Sequence, residues 1–173
     1  EVPPTEKNIE TSKKGQYRIK DNFLAFWFRF VYPMRSFIES DHPEIAMTKL
    51  KTGFIPNHVG YVYEDICRQK MWELNAQGKL PFLFDRVGRW WGGKDTEIDI
   101  VAIDTTDRSK IIFGECKFHQ NVPMQLSELH QLKEKAAVVP WGNANRDEYF
   151  ALFCISGYSE DLQQLAQEDS HLL

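Results

Sequence analysis

The chain has 173 residues, is 42% hydrophobic and 13% aromatic, and carries a formal net charge of −4. That length and apolar content provide for one large domain, or one domain plus a piece, around a real core. The acidic balance weighs against a domain whose main task is to grip duplex DNA, and less against catalysis, because carboxylates gathered for metal ions themselves add negative charge.

Residues 1–20 carry Pro3, Pro4, Lys7, Lys13, Lys14 and Gly15 and read as an arm. Asp21 can cap a helix, and Phe23, Phe26, Trp27, Phe30 and Val31 follow at helical spacing. Leu24 and Phe28 lie off that stripe, so this helix is apolar on more than one face and is expected to be buried or docked. Pro33 ends or kinks it. Pro43 opens a second short helix through Ile45, Met47 and Leu50. A longer helix is predicted from Asn57 to Asn75, with Val59, Val62, Tyr63, Ile66, Met71 and Leu74 as its apolar stripe and Gly78 closing it. Strands are predicted over Leu83–Trp90, Glu97–Asp104 and Lys110–Phe118, with turns at Trp91–Asp95 and Thr105–Ser109. A helix over Val122–Val138, with Asn121 as cap and Pro123 in its first turn, a buried strand over Tyr149–Ile155 and a last helix over Glu160–Gln167 complete the chain. The order suits an α/β core behind an α-helical front piece.

Cys67, Cys116 and Cys154 lie far apart with no CxxC pair, which argues against a disulfide framework or a zinc site and suits a reducing cytoplasm. The start is polar, without a secretion signal and without an initiator methionine, so the sequence reads as a fragment or a processed product. The longest apolar stretch, Phe23–Val31, is too short to span a bilayer and contains Arg29, so no membrane partner is expected.

The chemistry is concentrated in Thr96-Glu97-Ile98-Asp99-Ile100-Val101-Ala102 and Phe113-Gly114-Glu115-Cys116-Lys117. Charged groups are rarely set among such apolar neighbours for packing alone. Alternate side chains of a strand share a face, so Glu115 and Lys117 point together, and Asp99 is grouped with Glu97, Val101 and Ile103. Cys116 faces the other way and reads as core. If the two strands form a hairpin, Asp99 and Glu115 sit side by side and offer oxygens to one Mg²⁺. Such a metal lowers the pKa of a bound water and neutralises phosphate charge, with Lys117 orienting or deprotonating the water. Glu64, between Tyr63 and Ile66 on the long helix, is the candidate fourth member; a solvated glutamate is the alternative, and Asp65 is its neighbouring competitor. Asp99 paired with Arg86 or Arg89, and Glu97 and Lys117 standing in water, is the reading without a metal.

The set Glu64, Asp99 and Glu115-x-Lys117 resembles the PD-(D/E)XK nuclease superfamily, the restriction-endonuclease-like fold. More narrowly, the segment Tyr17–Pro33 is similar to the start of the C-terminal domain of archaeal-type AAA+ (DEXX-box) ATPases. Gly60-Tyr61-Val62-Tyr63-Glu64, Gly88-Arg89-Trp90-Trp91, Glu97–Ala102 and Gly114–Lys117 continue that likeness over nearly the whole chain. It implies a three-layer α/β/α core with a mixed sheet, and a Mg²⁺ (or Mn²⁺) site at Glu64, Asp99 and Glu115 with Lys117 as a catalytic partner. It also implies ATP-binding and winged-helix domains upstream. This chain has no GxxxxGK[ST] and is not expected to bind ATP itself. Residues 1–20 would then be a linker or tail of the winged helix, residues 21–56 a helical segment and residues 57–173 the nuclease-like domain. The proline that precedes the first acid in the superfamily is absent, since Ile98 stands there.

Two functions from different classes follow. One is a Mg²⁺-dependent DNA phosphodiesterase. The other is a non-catalytic domain that docks on the ATPase and winged-helix parts or on DNA through its aromatic first helix, or that self-associates into a homo-oligomer. His119, and Gln125, His130, Gln131, Lys133 and Lys135 on the following helix, are secondary candidates for phosphate contact, with no single one standing out. One of Trp90 and Trp91 reads as core, and the other as a base-stacking or partner-contact residue; Arg86, Arg89 and Lys94 form a modest basic patch.

Overall fold

Runs of β-branched and aromatic residues build one open, mixed sheet from β1 (Arg86–Gly92), β2 (Thr96–Ile103), β3 (Lys110–Lys117) and β4 (Asp147–Cys154), in that spatial order. The first two pairings are antiparallel and the last is parallel. The coordinates, a computed structural model, describe residues 1–93, 96–143 and 145–173. The expected turn at Trp91–Asp95 therefore lies partly outside the described residues, as does Lys94; Trp91 and Gly92 belong to β1.

Two cores flank the sheet and make three layers. On one side α4 (Gly60–Ala76) packs Cys67 and Met71 against Phe84, Ile100, Ala102, Ile112 and Cys116. On the other, α5 (Leu126–Ala136) and α6 (Glu160–Glu168) pack Leu129, Leu132, Ala136 and Leu162 over Val101, Ile103, Ile111 and Phe113. The parallel pairing of β3 with β4 requires a crossover, and α5 supplies it. Among the described residues no helix is long and apolar enough to cross a membrane.

The front piece is helical, as expected, with a different register. Asp21 caps α1 (Asn22–Phe26) by accepting from the Leu24 N–H at 2.8 Å. The helical path continues through a π-helical turn (Trp27–Val31) and a 3₁₀ turn (Tyr32–Met34) into α2 (Arg35–Glu39), so Pro33 alters the winding rather than ending it. Phe23, Phe28 and Tyr32 are exposed, so of the two alternatives, buried or docked, burial within this chain is corrected. Pro43 does open α3 (Pro43–Phe54), and a π-helical turn around Pro56 joins it to α4. The arm 1–20 has no regular structure, but Pro3 and Pro4 are buried. The Trp90 indole N–H donates to Thr5 Oγ1 at 3.1 Å, and Arg86 donates to the Glu6 carbonyl at 3.1 Å, so the arm lies along the edge strand β1.

Two further expectations shift through contacts made outside the helix concerned. The stripe on α4 is Cys67, Met71 and Asn75, and Ile66 is exposed. Asn75 exchanges two 3.0 Å hydrogen bonds with the Phe84 backbone and ties the helix end to the sheet. Helix α5 starts at Gln125, which forms a capping box with Glu128, and not near Val122. Met124 pairs in strand fashion with Tyr158, and Asn121 takes a left-handed φ of 61°, so residues 121–124 are spent on the crossover.

At Gly114 β2, β3 and β4 lie close together: a Cβ there would sit 2.9 Å from Ile100 Cβ and 3.1 Å from the Ala151 carbonyl oxygen. Neither atom belongs to a flexible tip, so Gly114→Ala must spread the strands. We expect a loss of about 1–3 kcal/mol, measured by urea unfolding; an unchanged midpoint would show that the strands yield without cost.

Candidate active site

The side chains singled out in the sequence lie on α4, β2 and β3, Glu64 held by arginines and Glu115 by lysines. Glu115 is buried, 5% exposed, at the end of β3. Its Oε1 accepts from Lys117 Nζ at 2.6 Å and its Oε2 from Lys135 Nζ at 3.0 Å. The pairing of β2 and β3 ends at Ile100↔Gly114, one residue short of Asp99 and Glu115; Glu115 is close enough for its charge to raise Asp99, and the Cys116 N–H donates to Asp99 Oδ2 at 2.8 Å. Cys116 points into the core beneath α4, as its parity requires.

A β-bulge sets the direction of Asp99. Gly88 pairs with Val101 but Trp90 pairs with Ile98, so Asp99 and Ile100 together stand opposite Arg89. Alternation therefore breaks: Ile98 and Val101 both enter the core beneath α5, whereas Ile100 enters the core beneath α4. This corrects the expected face shared by Glu97, Asp99, Val101 and Ile103. Glu97 falls on the far side of the slip and is exposed, paired with Arg89 Nη2 at 3.0 Å. Asp99 makes no ion pair with Arg86 or Arg89; those cations are engaged by the Glu6 carbonyl and by Glu64 and Glu97.

Glu64 is brought in because it precedes Cys67 and Met71 by three and seven residues, on the side of α4 that faces the sheet. Its Oε2 is buried and accepts no hydrogen bond, although Arg89 Nε and Arg68 Nη1 lie 3.3 and 3.7 Å away. Burial, reinforced by the Asp99 charge, pushes the Glu64 carboxyl up to about 7 against the pull of Arg89, Arg68 and Arg18. Burial and the neighbouring Glu115 likewise raise Asp99, with the Cys116 N–H acting the other way. Desolvation works against the Lys117 ammonium, but the Glu115 hydrogen bond and the Glu115 and Asp99 charges prevail and hold it above the usual lysine range. Asp65 is turned away, bound by Arg68 and by Arg18 at 2.7 Å. His119 is exposed and stands apart from these contacts, and Trp90 is the core indole.

Lys135 is the member that sequence reasoning did not single out. The available signal was its place on α5, three residues after the buried Leu132 and one before the buried Ala136. A cation at that rim reaches into the layer below.

The donor set suits a small, hard cation: three carboxylates on three elements, one of them with a buried oxygen lacking a hydrogen-bond donor. As the side chains stand, no three His, Cys, Asp or Glu groups among the described residues are close enough to enclose an ion. Glu64 is drawn to arginines and Glu115 to lysines. What exists is a buried network of alternating charges in which the carboxylates are already compensated.

The comparisons place the chain. A family described as archaeal and bacterial proteins of unknown function (DUF234) matches residues 27–136. The chain belongs to that family, and the matched region runs from the aromatic helix through β3 to the end of α5, so it contains every residue of the site. An uncharacterised protein of Methanocaldococcus jannaschii is 35% identical over 142 residues, 82% of this chain and 31% of the relative. The chain thus spans about a third of that relative's length. No solved structure matches.

A raised carboxyl makes stability depend on pH with a definite sign. Between about 4.5 and about 7 the folded state holds the Glu64 proton that the unfolded chain releases, so this group destabilises the fold increasingly as pH rises. The full effect is at most roughly 3 kcal/mol, the equivalent of moving the pKa from 4.5 to about 7. Glu64→Gln should therefore gain stability relative to the natural chain across that window and run parallel to it above. Thermal unfolding of both proteins at half-unit pH steps measures this, and parallel curves from pH 4.5 upward would contradict the burial argument.

Proposed function

We propose that this domain is a metal-dependent phosphodiesterase acting on nucleic acid, with Glu64, Asp99 and Glu115 as carboxylate ligands and Lys117 beside them. The observation that carries the reading is the buried Glu64 carboxyl, whose Oε2 accepts no hydrogen bond and whose proton affinity the Asp99 charge helps to raise. Three carboxylates with one lysine held against them are more charge than packing needs, and perturbed carboxyls grouped in this way favour a functional site over a structural one. The arrangement α4–β1–β2–β3–α5–β4, with the acids on the helix and the two central strands, is also what the resemblance to PD-(D/E)XK nucleases implies.

Mg²⁺ or Mn²⁺, when bound, would supply Lewis acidity toward a phosphoryl oxygen and acidify a water. The chain's own residues would do the rest. Asp99, its Oδ2 already held by the Cys116 N–H, presents a fixed carboxylate. Lys117 Nζ, protonated and anchored on Glu115, is placed to donate to a phosphate oxygen or to hold a water in line. Lys135 keeps the second Glu115 oxygen oriented and would be a second cation for phosphate charge. Glu64, with a carboxyl near 7, loses its proton when a cation arrives, so binding should release protons near neutral pH.

The wider context follows from the same resemblance: the C-terminal part of a larger ATP-binding AAA+ protein with a winged helix upstream, at work in the cytoplasm. The relative from Methanocaldococcus jannaschii, of which the matched part is 31%, has room for such domains. A second reading is favoured by the ion pairs themselves. Lys117, Lys135, Arg68 and Arg89 compensate the carboxylates without any metal, and Phe23, Phe28 and Tyr32 stand exposed on the front helix. On that reading the domain is a docking module and the charged network only rigidifies it.

Calorimetry with Mn²⁺ separates the two. The nuclease reading expects binding that depends on Asp99 and Glu115, strengthens as pH rises through about 7 and is accompanied by proton uptake by the buffer. Cleavage of labelled single-stranded, duplex and branched DNA with Mg²⁺ or Mn²⁺ should fall by on the order of a hundredfold or more in Asp99→Asn and Lys117→Ala. Equal activity in all three proteins, or no Asp99-dependent binding of Mn²⁺, would leave the docking module.

A further inference from the structure

Beside the charged network lies a cleft of about 450 Å³ between the arm, the front helix and the start of α4. Its walls include Tyr17, Arg18, Phe28, Arg29, Tyr61 and Arg89. Three guanidinium groups and three aromatic rings thus share one space with the carboxylates of Glu1 and Asp65, both paired with Arg18, in a chain whose net charge is −4. Two of the lining residues connect it to the site. Arg89 lies 3.3 Å from Glu64 and over the Tyr61 ring at 5.1 Å, and Asp65, next to Glu64 in sequence, binds Arg18. The cleft therefore opens within one side chain of the carboxylates.

We infer that this cleft takes a single-stranded polynucleotide and leads it to the Glu64–Asp99–Glu115 site; the inference rests on the phosphodiesterase reading for what happens there, but not for binding. Aromatic rings contribute by stacking on base faces, and a duplex keeps those faces inside its own stack, whereas a single strand offers them. Tyr17 is fully exposed and Phe28 is 51% exposed, so both rings stand ready at the rim. Between them Arg29 donates to the Asn57 amide oxygen at 3.0 Å. Among the described residues it has no carboxylate within ion-pair distance, unlike Arg18 and Arg89. It is thus the cation that meets a phosphate without first giving up an ion pair. A volume of this size suits one or two nucleotides and not a double helix. The acidic net charge points the same way, since gripping duplex DNA calls for many more phosphate contacts.

The test is fluorescence anisotropy with 5′-labelled dT15, rU15 and a 15-base-pair duplex, in EDTA so that no metal is bound and nothing is cleaved. Both single strands are expected to bind at least tenfold more tightly than the duplex, and the dT15 and rU15 arms decide between DNA and RNA. Tyr17→Ala should weaken single-strand binding on the order of tenfold. Arg29→Ala should lower the slope of log K against log salt by about 0.7, and Arg29→Lys should restore it. Both residues are exposed, so the variants should keep the circular dichroism and melting point of the natural chain. Equal affinity for duplex and single strand, no binding of either, or unaltered binding by Tyr17→Ala and Arg29→Ala would each overturn the inference. Asp99→Asn keeps the two readings apart. Single-strand binding without Asp99-dependent cleavage leaves the cleft and removes the enzyme; Asp99-dependent cleavage without preference for single strands does the reverse.

Discussion

The burial of one carboxylate governs this molecule. Glu115 lies almost wholly out of water at the end of a central strand, and an ionised group there is untenable without close cationic partners. Lys117 from the same strand and Lys135 from the crossover helix each take one of its oxygens. The crossover therefore does more than return the chain for a parallel pairing. It sets the cation that lets the acid exist, and so couples the layer above the sheet to the chemistry at its edge.

Asp99 and Glu64 join this centre because the sheet is irregular at one point. A regular β2 would aim Asp99 squarely into the α5 layer. The slip opposite Arg89 breaks the strand's alternation, and Arg68 on α4, beside Glu64, donates to the Asp99 carbonyl. Bulges of this kind re-aim a side chain at some loss of ladder pairing, and such losses are tolerated where a site is being assembled. The bulge also frees Arg89 to bridge Glu64 and Glu97, which starts a chain of ion pairs running through Glu64, Arg68 and Asp65 to Arg18 on the arm. Through that chain the candidate site and the neighbouring cleft share their electrostatics.

The cationic compensation has two sides. Arginines and lysines make a dense carboxylate cluster compatible with folding in the absence of a metal, and under the function proposed above the same cations would meet an incoming phosphate. An anionic ligand and a divalent cation arriving together would exchange one set of ion pairs for another, with little change in total charge. Glu64 Oε2 accepts no hydrogen bond although the Arg89 and Arg68 guanidinium groups lie beside it, so its charge is balanced by ion pairing alone.

By itself the sequence determined what local chemistry can determine. The Asp21 cap, Gly78 as the left-handed stop of the long helix, the order of helices and strands, Cys116 as core and the nearness of Asp99 to Glu115 all follow from capping, φ preference and strand parity within a few residues. The tertiary structure alone decided what depends on contacts distant in the chain. The buried stripe of α4 runs through Cys67 and Met71 rather than the more apolar Ile66, because the sheet meets the helix at that angle, and Glu64 is aimed inward as a consequence. Helix α5 begins late because Met124 pairs with Tyr158, 34 residues further on. Lys135 is an ordinary helix-rim lysine until Glu115 is buried beneath it, and the bulge at Asp99 exists only in the pairing of two strands. Periodicity within one segment carries no record of its partner, so these four features were beyond a reading of the residues alone.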